Sequence, residues 1–272
     1  MTIKVKITGG LGNQLFQYFF ARSLNIKLKC NVELDVSEFT AGKYKTHDLN
    51  LNNLDLKLPF SVNKNFFLSL FFKPIVDKNP FKYCNSIFDN QYFNYIGYWQ
   101  SYKYFEEYWS VFKKDFIFEK KIYTNPLLDK IINNNSVSVH IRRGDYITNK
   151  KNSMIHGNLQ ISYYMEAIKF IKRKVTKPKF FFFSDDINWV KKNFNSEEFF
   201  FINNNPTEIK KPFKDLYLMK HCKHNIIANS TFSWWGAWLN DRIDKIVIAP
   251  KYWSSNQMSK TTDLIPPNWI IL

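Results

Sequence analysis

Cysteine is scarce in this chain: there are three, Cys30, Cys84 and Cys222, far apart and without a C-x-x-C pair. An odd number at such spacing excludes a disulfide scaffold and a structural zinc site, and unpaired core thiols in a reducing compartment are expected. Long apolar runs are missing too. The most suspicious block, Phe66 to Phe72, is bounded by Lys and Pro and falls well short of the ~20 residues a bilayer span needs. The N-terminus, MTIKVKITGG, alternates like a strand and lacks the apolar block of a signal peptide, so a cytoplasmic location is expected. Acidic residues are also few: 39 Lys and Arg against 23 Asp and Glu leave a formal net charge of +16. That balance invites a nucleic-acid or membrane reading. The lysines, however, are spread along the whole chain beside many Asn and Phe, as biased codon usage alone would leave them. No nucleic-acid partner is expected, and contact with an anionic membrane surface is a secondary expectation.

What is present is a chain of 272 residues, 45% hydrophobic, long enough for two modest domains or one large α/β domain. IKVKI alternates as a strand and GGLGNQ makes a Gly-rich turn. Leu15, Phe16, Phe19, Phe20 and Leu24 fall at helical spacing, and LKCNVELDV alternates again. From Phe39 to Asn125 the chain is aromatic-rich and broken by Pro59, Pro74 and Pro80. One helix is expected there, around SYKYFEEYWSVF. After Asn133 the pattern becomes regular: strand VSVHI, helix ISYYMEAIKFIKRK, strand KFFFFS, helix INWVKKNF, strand EFFFI, helix KDLYLMKHC, strand NIIA, helix TFSWWGAWL, strand KIVIA. Apolar strands alternating with helices predict a parallel sheet covered on both faces, with every strand's carboxyl end on one edge.

Polarity is concentrated after those strands. One ends in His140, Arg142, Arg143 and Asp145; another in Ser184, Asp185 and Asp186; a third in Asn229, Ser230 and Thr231, immediately before a helix. Arginine matches phosphate with a planar fork and a permanent charge. A helix start offers backbone N–H groups at the positive end of its dipole, and carboxylates after a strand can accept from a base or a ribose hydroxyl. The three clusters together describe a nucleoside diphosphate site. Taken singly they have blander readings, with Asp185 or Asp186 capping the helix at Ile187 and Ser230 or Thr231 capping the next.

GGLGNQLFQY, HIRRGDY, FFFSDD and ANSTFSWWGAWL with IAPKYW occur in that order over nearly the whole chain, which thereby resembles the α-1,2-fucosyltransferases of glycosyltransferase family 11. The resemblance implies an α/β protein of GT-B type, two Rossmann-like domains facing across a cleft: an acceptor-side domain over 1–135 and a GDP-fucose-binding domain over 136–272. It implies no cofactor and no metal, with GDP-fucose as donor, and inversion at the anomeric carbon. By the same resemblance Arg142 contacts the diphosphate, with Arg143 beside it, and Ser230, Thr231 and Phe232 contact the β-phosphate. Asp185 or Asp186, with His140, reaches the guanosine. Asn13 approaches the fucose or the acceptor, and Gly10 and Gly12 of the same turn count among the donor-binding residues. The acceptor hydroxyl, taken as the 2-position of a terminal galactose, is to be activated by a base for which Asp145 and His156 are both candidates. Asp145 reads equally well as a carboxylate locking Arg143. The expected setting is bacterial surface-glycan assembly, such as O-antigen, on a galactose-terminated, lipid-linked oligosaccharide at the inner face of the membrane.

Three rivals carry specific signals. Gly10-x-Gly12-x-x-Leu15 followed by Asp35 suggests a dinucleotide fold, although the third glycine is absent. Asp185 and Asp186 could grip a divalent cation in a metal-dependent transferase. An RNA-binding protein would use the lysines and the 18% aromatic content, but no basic, aromatic-rich module is visible. Several other patterns read as structural: the Arg143-Gly144-Asp145 tripeptide, the Asn229-Ser230-Thr231 sequon, the helically spaced Trp234, Trp235 and Trp238, and the scattered His47, His221 and His224.

Overall fold

A computed structural model describes residues 2–40, 47–62, 73–89, 93–115, 126–144, 157–202, 211–254 and 263–272. The chain divides into two compact units, one made of 1–117 with 260–266 and the other of 118–259 with 267–272. Each carries its own parallel sheet.

In the first unit the strands are β1 (Thr2–Lys6), β2 (Asn31–Asp35), β3 (Phe60–Ser61), β4 (Ile75–Val76) and β5 (Asn94–Ile96), in the order β3-β2-β1-β5-β4. All their pairings are parallel. Ile3 and Val5 are fully buried while Lys4 and Lys6 stay partly exposed, which is the alternation of a strand packed on one face. Helix α1 (Leu11–Lys27) follows β1 and starts four residues before the expected apolar spacing begins. Its Phe19 and Phe20 are buried against Phe105, Trp109 and Phe112 on one side and Trp99 and Tyr104 on the other. The helix expected over SYKYFEEYWSVF is broken. It forms 3-10 turns at Tyr102–Tyr104 and Glu106–Tyr108, and only then an α-helix from Trp109 to Asp115. The break falls at Phe105, whose φ of −135° leaves the helical region so that its ring, fully buried, reaches α1.

The second unit has β6 (Asn135–Ile141), β7 (Pro178–Ser184), β8 (Phe199–Phe201), β9 (His224–Ile226), β10 (Val247–Ala249) and β11 (Ile270–Ile271), in the order β11-β10-β9-β6-β7-β8. All are parallel. The helices that cover this sheet include Pro126–Ile132, Ile161–Lys174, Ile187–Asn193, Lys211–His221 and Thr231–Trp238. The four consecutive phenylalanines of β7 show why a central parallel strand reads as an unbroken apolar run. Phe180 and Phe182 pack on one face with Ile168 and Ile171, whereas Phe181 and Phe183 pack on the other with Leu218, Met219 and Cys222. Each Phe truncated to Ala here would cost about 3–5 kcal/mol.

Several buried polar groups in this unit are paired with one another. Asn225 donates to the Ser138 hydroxyl at 2.7 Å, and Asn240 donates to Asn225 Oδ1 at 2.9 Å, so that strands and helix ends are joined through satisfied amides. Tyr163 donates its hydroxyl to the Ile227 carbonyl at 2.7 Å, just beyond the end of β9. No helix among the described residues is long and apolar enough to cross a membrane.

Candidate active site

The register of the second sheet aligns the polar clusters. His140 pairs with Phe183 and Ile141 with Ser184, while Val139 pairs with Ile226, so β6, β7 and β9 reach the same edge together. Just past that edge the Asp185 carboxylate accepts from the Arg143 backbone N–H at 2.9 Å through Oδ1 and lies 3.0 Å from Arg142 Nη1 through Oδ2. Gly144 makes this approach feasible, because a Cβ there would sit 2.9 Å from Asp185 Oδ2. Asp186 caps the helix that follows, with Oδ1 accepting from the Trp189 N–H at 3.1 Å. Its Oδ2 is 3.5 Å from Arg143 Nε.

All four oxygens of the Asp pair are therefore engaged by donors of the protein itself. Such a pair does not fit a cation-gripping role, and among the described residues no group of three or more His, Cys, Asp or Glu could hold a metal ion. The sequence sets Arg142 and Arg143 side by side, yet their roles diverge. The Arg143 guanidinium lies 3.6 Å from the centre of the Trp189 ring, a cation–π contact that takes up its charge inside the protein. The Arg142 side chain is 30% exposed and steered from one side by Asp185.

His140 is buried, and its Nδ1 is shielded from solvent with no hydrogen-bond partner. Its ring stands 5.5 Å from the Phe232 ring at the start of the Thr231–Trp238 helix, linking the β6 cluster to the β9 cluster. Burial pushes the imidazole down to about 3; the Asp185 charge opposes this and the Arg142 charge reinforces it. The ring is thus neutral at any working pH. Between about 3 and the ordinary value of 6.5 the unfolded chain binds a proton here that the folded chain does not, so stability falls as pH falls. His221 and His224, also lowered by burial, act with the same sign. Melting temperature should drop on acidification from about pH 7 to 5, and His140→Asn should flatten that slope; a slope unchanged by the substitution would contradict the assignment.

The helix start at Ser230 is set by its neighbours. Ser230 is extended (φ −140°) and makes no side-chain cap. Instead Ser233 Oγ accepts from the Ala228 N–H at 3.2 Å and donates to the Ser230 carbonyl at 3.2 Å. Asn229 is buried and donates to the Gly157 carbonyl at 3.2 Å, which removes the sequon from reach. The N–H groups of Thr231, Phe232 and Ser233 open the helix without intrahelical acceptors, as every helix start must.

In the first unit the Gly-rich turn leads into α1 with Gly10 as its N-cap and Gly12 buried in its first turn. The glycine that backbone geometry demands is Gly9, at φ +75°, where a Cβ would also meet Asn13 Nδ2 at 2.7 Å. Asn13 Oδ1 accepts from Gln100 Nε2 at 2.8 Å. Two buried glutamines that sequence reading passed over tie the turn down. Gln14 donates to the carbonyls of Gly9 and Asp48, and Gln17 joins the Thr8 N–H to the Gly97 carbonyl. Asp35, the acid of the dinucleotide alternative, caps the turn after β2 by accepting from the Ser37 N–H at 3.0 Å. The structure thus brings His140, Arg142, Arg143, Asp185, Asp186, Ser230, Thr231 and Phe232 to one sheet edge, and Gly10, Gly12 and Asn13 to the edge of the other sheet. Asp145 and His156 lie outside the described residues.

Known proteins resemble this chain over most of its length. Residues 60–272 match the sequence profile described as glycosyl transferase family 11. An Escherichia coli alpha-1,2-colitosyltransferase is 32% identical over 98% of both chains. The Escherichia coli O-antigen biosynthesis glycosyltransferase WbnK is 33% identical over 94% of this chain and 96% of its own. Among solved structures, the fucosyltransferase NodZ from Bradyrhizobium superposes with a TM-score of 0.50 at 12% identity, over 86% of this chain and 92% of that one. A NodZ alpha-1,6-fucosyltransferase co-crystallised with GDP gives 0.51 at 13%, over 86% and 91%. At that identity the likeness concerns fold alone: an α/β protein with two Rossmann-like units of the GT-B type. With its profile matched over most of the chain and close relatives along its full length, this protein is a glycosyltransferase and belongs to glycosyl transferase family 11.

Proposed function

We propose that the chain transfers L-fucose from GDP-fucose to the 2-hydroxyl of a terminal galactose, with inversion, in the assembly of a bacterial surface glycan. The observation that carries this reading is the convergence of Arg142 paired with Asp185, a buried His140 and a helix start on one edge of the second sheet. Breaking the glycosyl–phosphate bond builds negative charge on the departing β-phosphate, and catalysis requires groups that bind this charge more tightly as it grows. Arg142 and the N–H groups at Thr231 and Phe232 are suited to that task. His140 Nδ1, buried without a partner, is suited to a single hydrogen bond with the nucleoside, while Asp185 keeps Arg142 aimed. The acceptor hydroxyl then attacks the opposite face of the sugar. Asn13, at the edge of the first sheet, is suited to orienting it, with Asp145 or His156 as the base.

A second reading differs in the donor sugar. One relative is named for colitose transfer, and colitose is L-fucose without its 3-hydroxyl. The nucleotide cradle would serve both donors. A pocket built to hydrogen-bond that hydroxyl would reject the sugar lacking it.

The test is a donor screen with GDP-fucose, GDP-colitose, GDP-mannose and UDP-sugars against a β-galactoside, with the product linkage read by NMR. Transfer from GDP-fucose to the 2-position is expected; transfer from a UDP-sugar alone would overturn the reading. In parallel, GDP at a hundredfold excess over its Kd should stabilise the fold by about 2.7 kcal/mol and raise Tm by several degrees, whereas NAD should not.

A further inference from the structure

We infer that Gln100 is a positioning residue for transfer, fixing the orientation of the Asn13 amide; this rests on the reading that Asn13 meets the sugar substrates. The two residues are 87 positions apart and joined by a 2.8 Å hydrogen bond in which Gln100 Nε2 donates to Asn13 Oδ1. An amide presents a donor at one end and an acceptor at the other. A donor placed on Oδ1 decides which end is which. The Nδ2 end occupies room that only a glycine leaves, since a Cβ on Gly9 would sit 2.7 Å from it.

Gln100 is itself held by an unusual turn. Trp99 before it has φ +52°, a conformation that non-glycine residues rarely adopt. Three contacts hold it there. Its N–H donates to Asp77 Oδ2 at 2.9 Å, its carbonyl accepts from the Ser101 N–H at 2.9 Å, and its ring stacks on Phe20 at 4.2 Å and 9°. Gly97 lets the end of β4 approach, since a Cβ on it would collide with Asp77 Cβ. Gln17 ties the Gly97 carbonyl to the exit of β1 at Thr8. Gln100 is 6% exposed and lies within this frame, with an amide donor aimed at Asn13. Strain of this kind persists only where surrounding contacts over-determine it, and it collects at sites that need a fixed geometry.

The test compares wild type with Asn13→Ala, Gln100→Ala, Gln100→Glu and the double Asn13→Ala/Gln100→Ala variant. Steady-state transfer, GDP affinity by calorimetry and Tm are measured on the same full-length samples. Gln100→Glu keeps the size of the side chain but cannot donate. Both Gln100 variants should lower kcat about tenfold with GDP affinity and donor KM unchanged, and the double variant should be no worse than Asn13→Ala. A Gln100→Glu variant with near-wild-type kcat, or losses that multiply in the double variant, would overturn the positioning role while leaving the role of Asn13 standing. Full activity in Asn13→Ala would instead overturn both. A general structural loss would be recognised by a fall in GDP affinity and Tm across the Gln100 variants, and that outcome too counts against the proposal.

Discussion

Arg142→Ala will lower transfer by about two to three orders of magnitude, the loss that follows removal of one donor aimed at charge developing in the transition state. The substitution should leave the fold intact, because Arg142 follows the last residue of β6 and its side chain is partly open to solvent. Its ion pair with Asp185 is partly exposed and stabilises the chain little by itself. The loss should therefore appear mainly in kcat, with Tm nearly unchanged. Arg142→Lys keeps the charge but gives up the planar fork and should recover only part of the activity. Near-normal turnover in a folded Arg142→Ala protein would remove the group on which the proposed leaving-group stabilisation depends.

Asp185→Ala should come next in size, at about ten- to a hundredfold in kcat/KM. The mechanism differs, because the charge of Arg142 survives and only its aim is lost. Asp185 also accepts the Arg143 N–H, so deleting the carboxylate removes one of the contacts that hold the turn after β6. Stability should fall by about 1–3 kcal/mol. Asp185→Asn, which can still accept at one oxygen, should be milder on both counts. Purified variants assayed for donor KM, kcat and Tm would decide the matter. An Asp185→Ala enzyme with full kcat/KM would mean that Arg142 needs no steering.

The sequence made the second unit legible because its elements are long and of one period each. VSVHI, KFFFFS and ISYYMEAIKFIKRK appear as β6, β7 and the Ile161–Lys174 helix within a residue or two. The placement of polarity after those strands followed from the topology of any parallel sheet. What could not be read was which member of a repeated pair does what. Asp185 and Asp186 look alike on paper, and only the backbone decides that one steers Arg142 while the other caps a helix. The same holds for GGLG, where the positive φ falls on Gly9 and not on Gly10 or Gly12. In the first unit, β3 and β4 are two residues each, too short for any alternation to register. The closing segment was opaque for another reason. Residues 260–266 belong to the first unit, where Asp263 pairs with Lys103 at 2.6 Å across 160 positions, while 267–272 return to the second and supply β11. Contacts at such separation leave no local trace. Gln14, Gln17 and Gln100 escaped notice because a buried glutamine reads as a surface residue until its partners are known.

The most direct test of the account is a crystal structure of the full chain with GDP. The β-phosphate should lie within hydrogen-bond distance of the Arg142 guanidinium and of the N–H groups opening the Thr231–Trp238 helix, with His140 Nδ1 facing the nucleoside. A nucleotide bound at the Gly-rich turn of the first unit, away from Arg142, would contradict it.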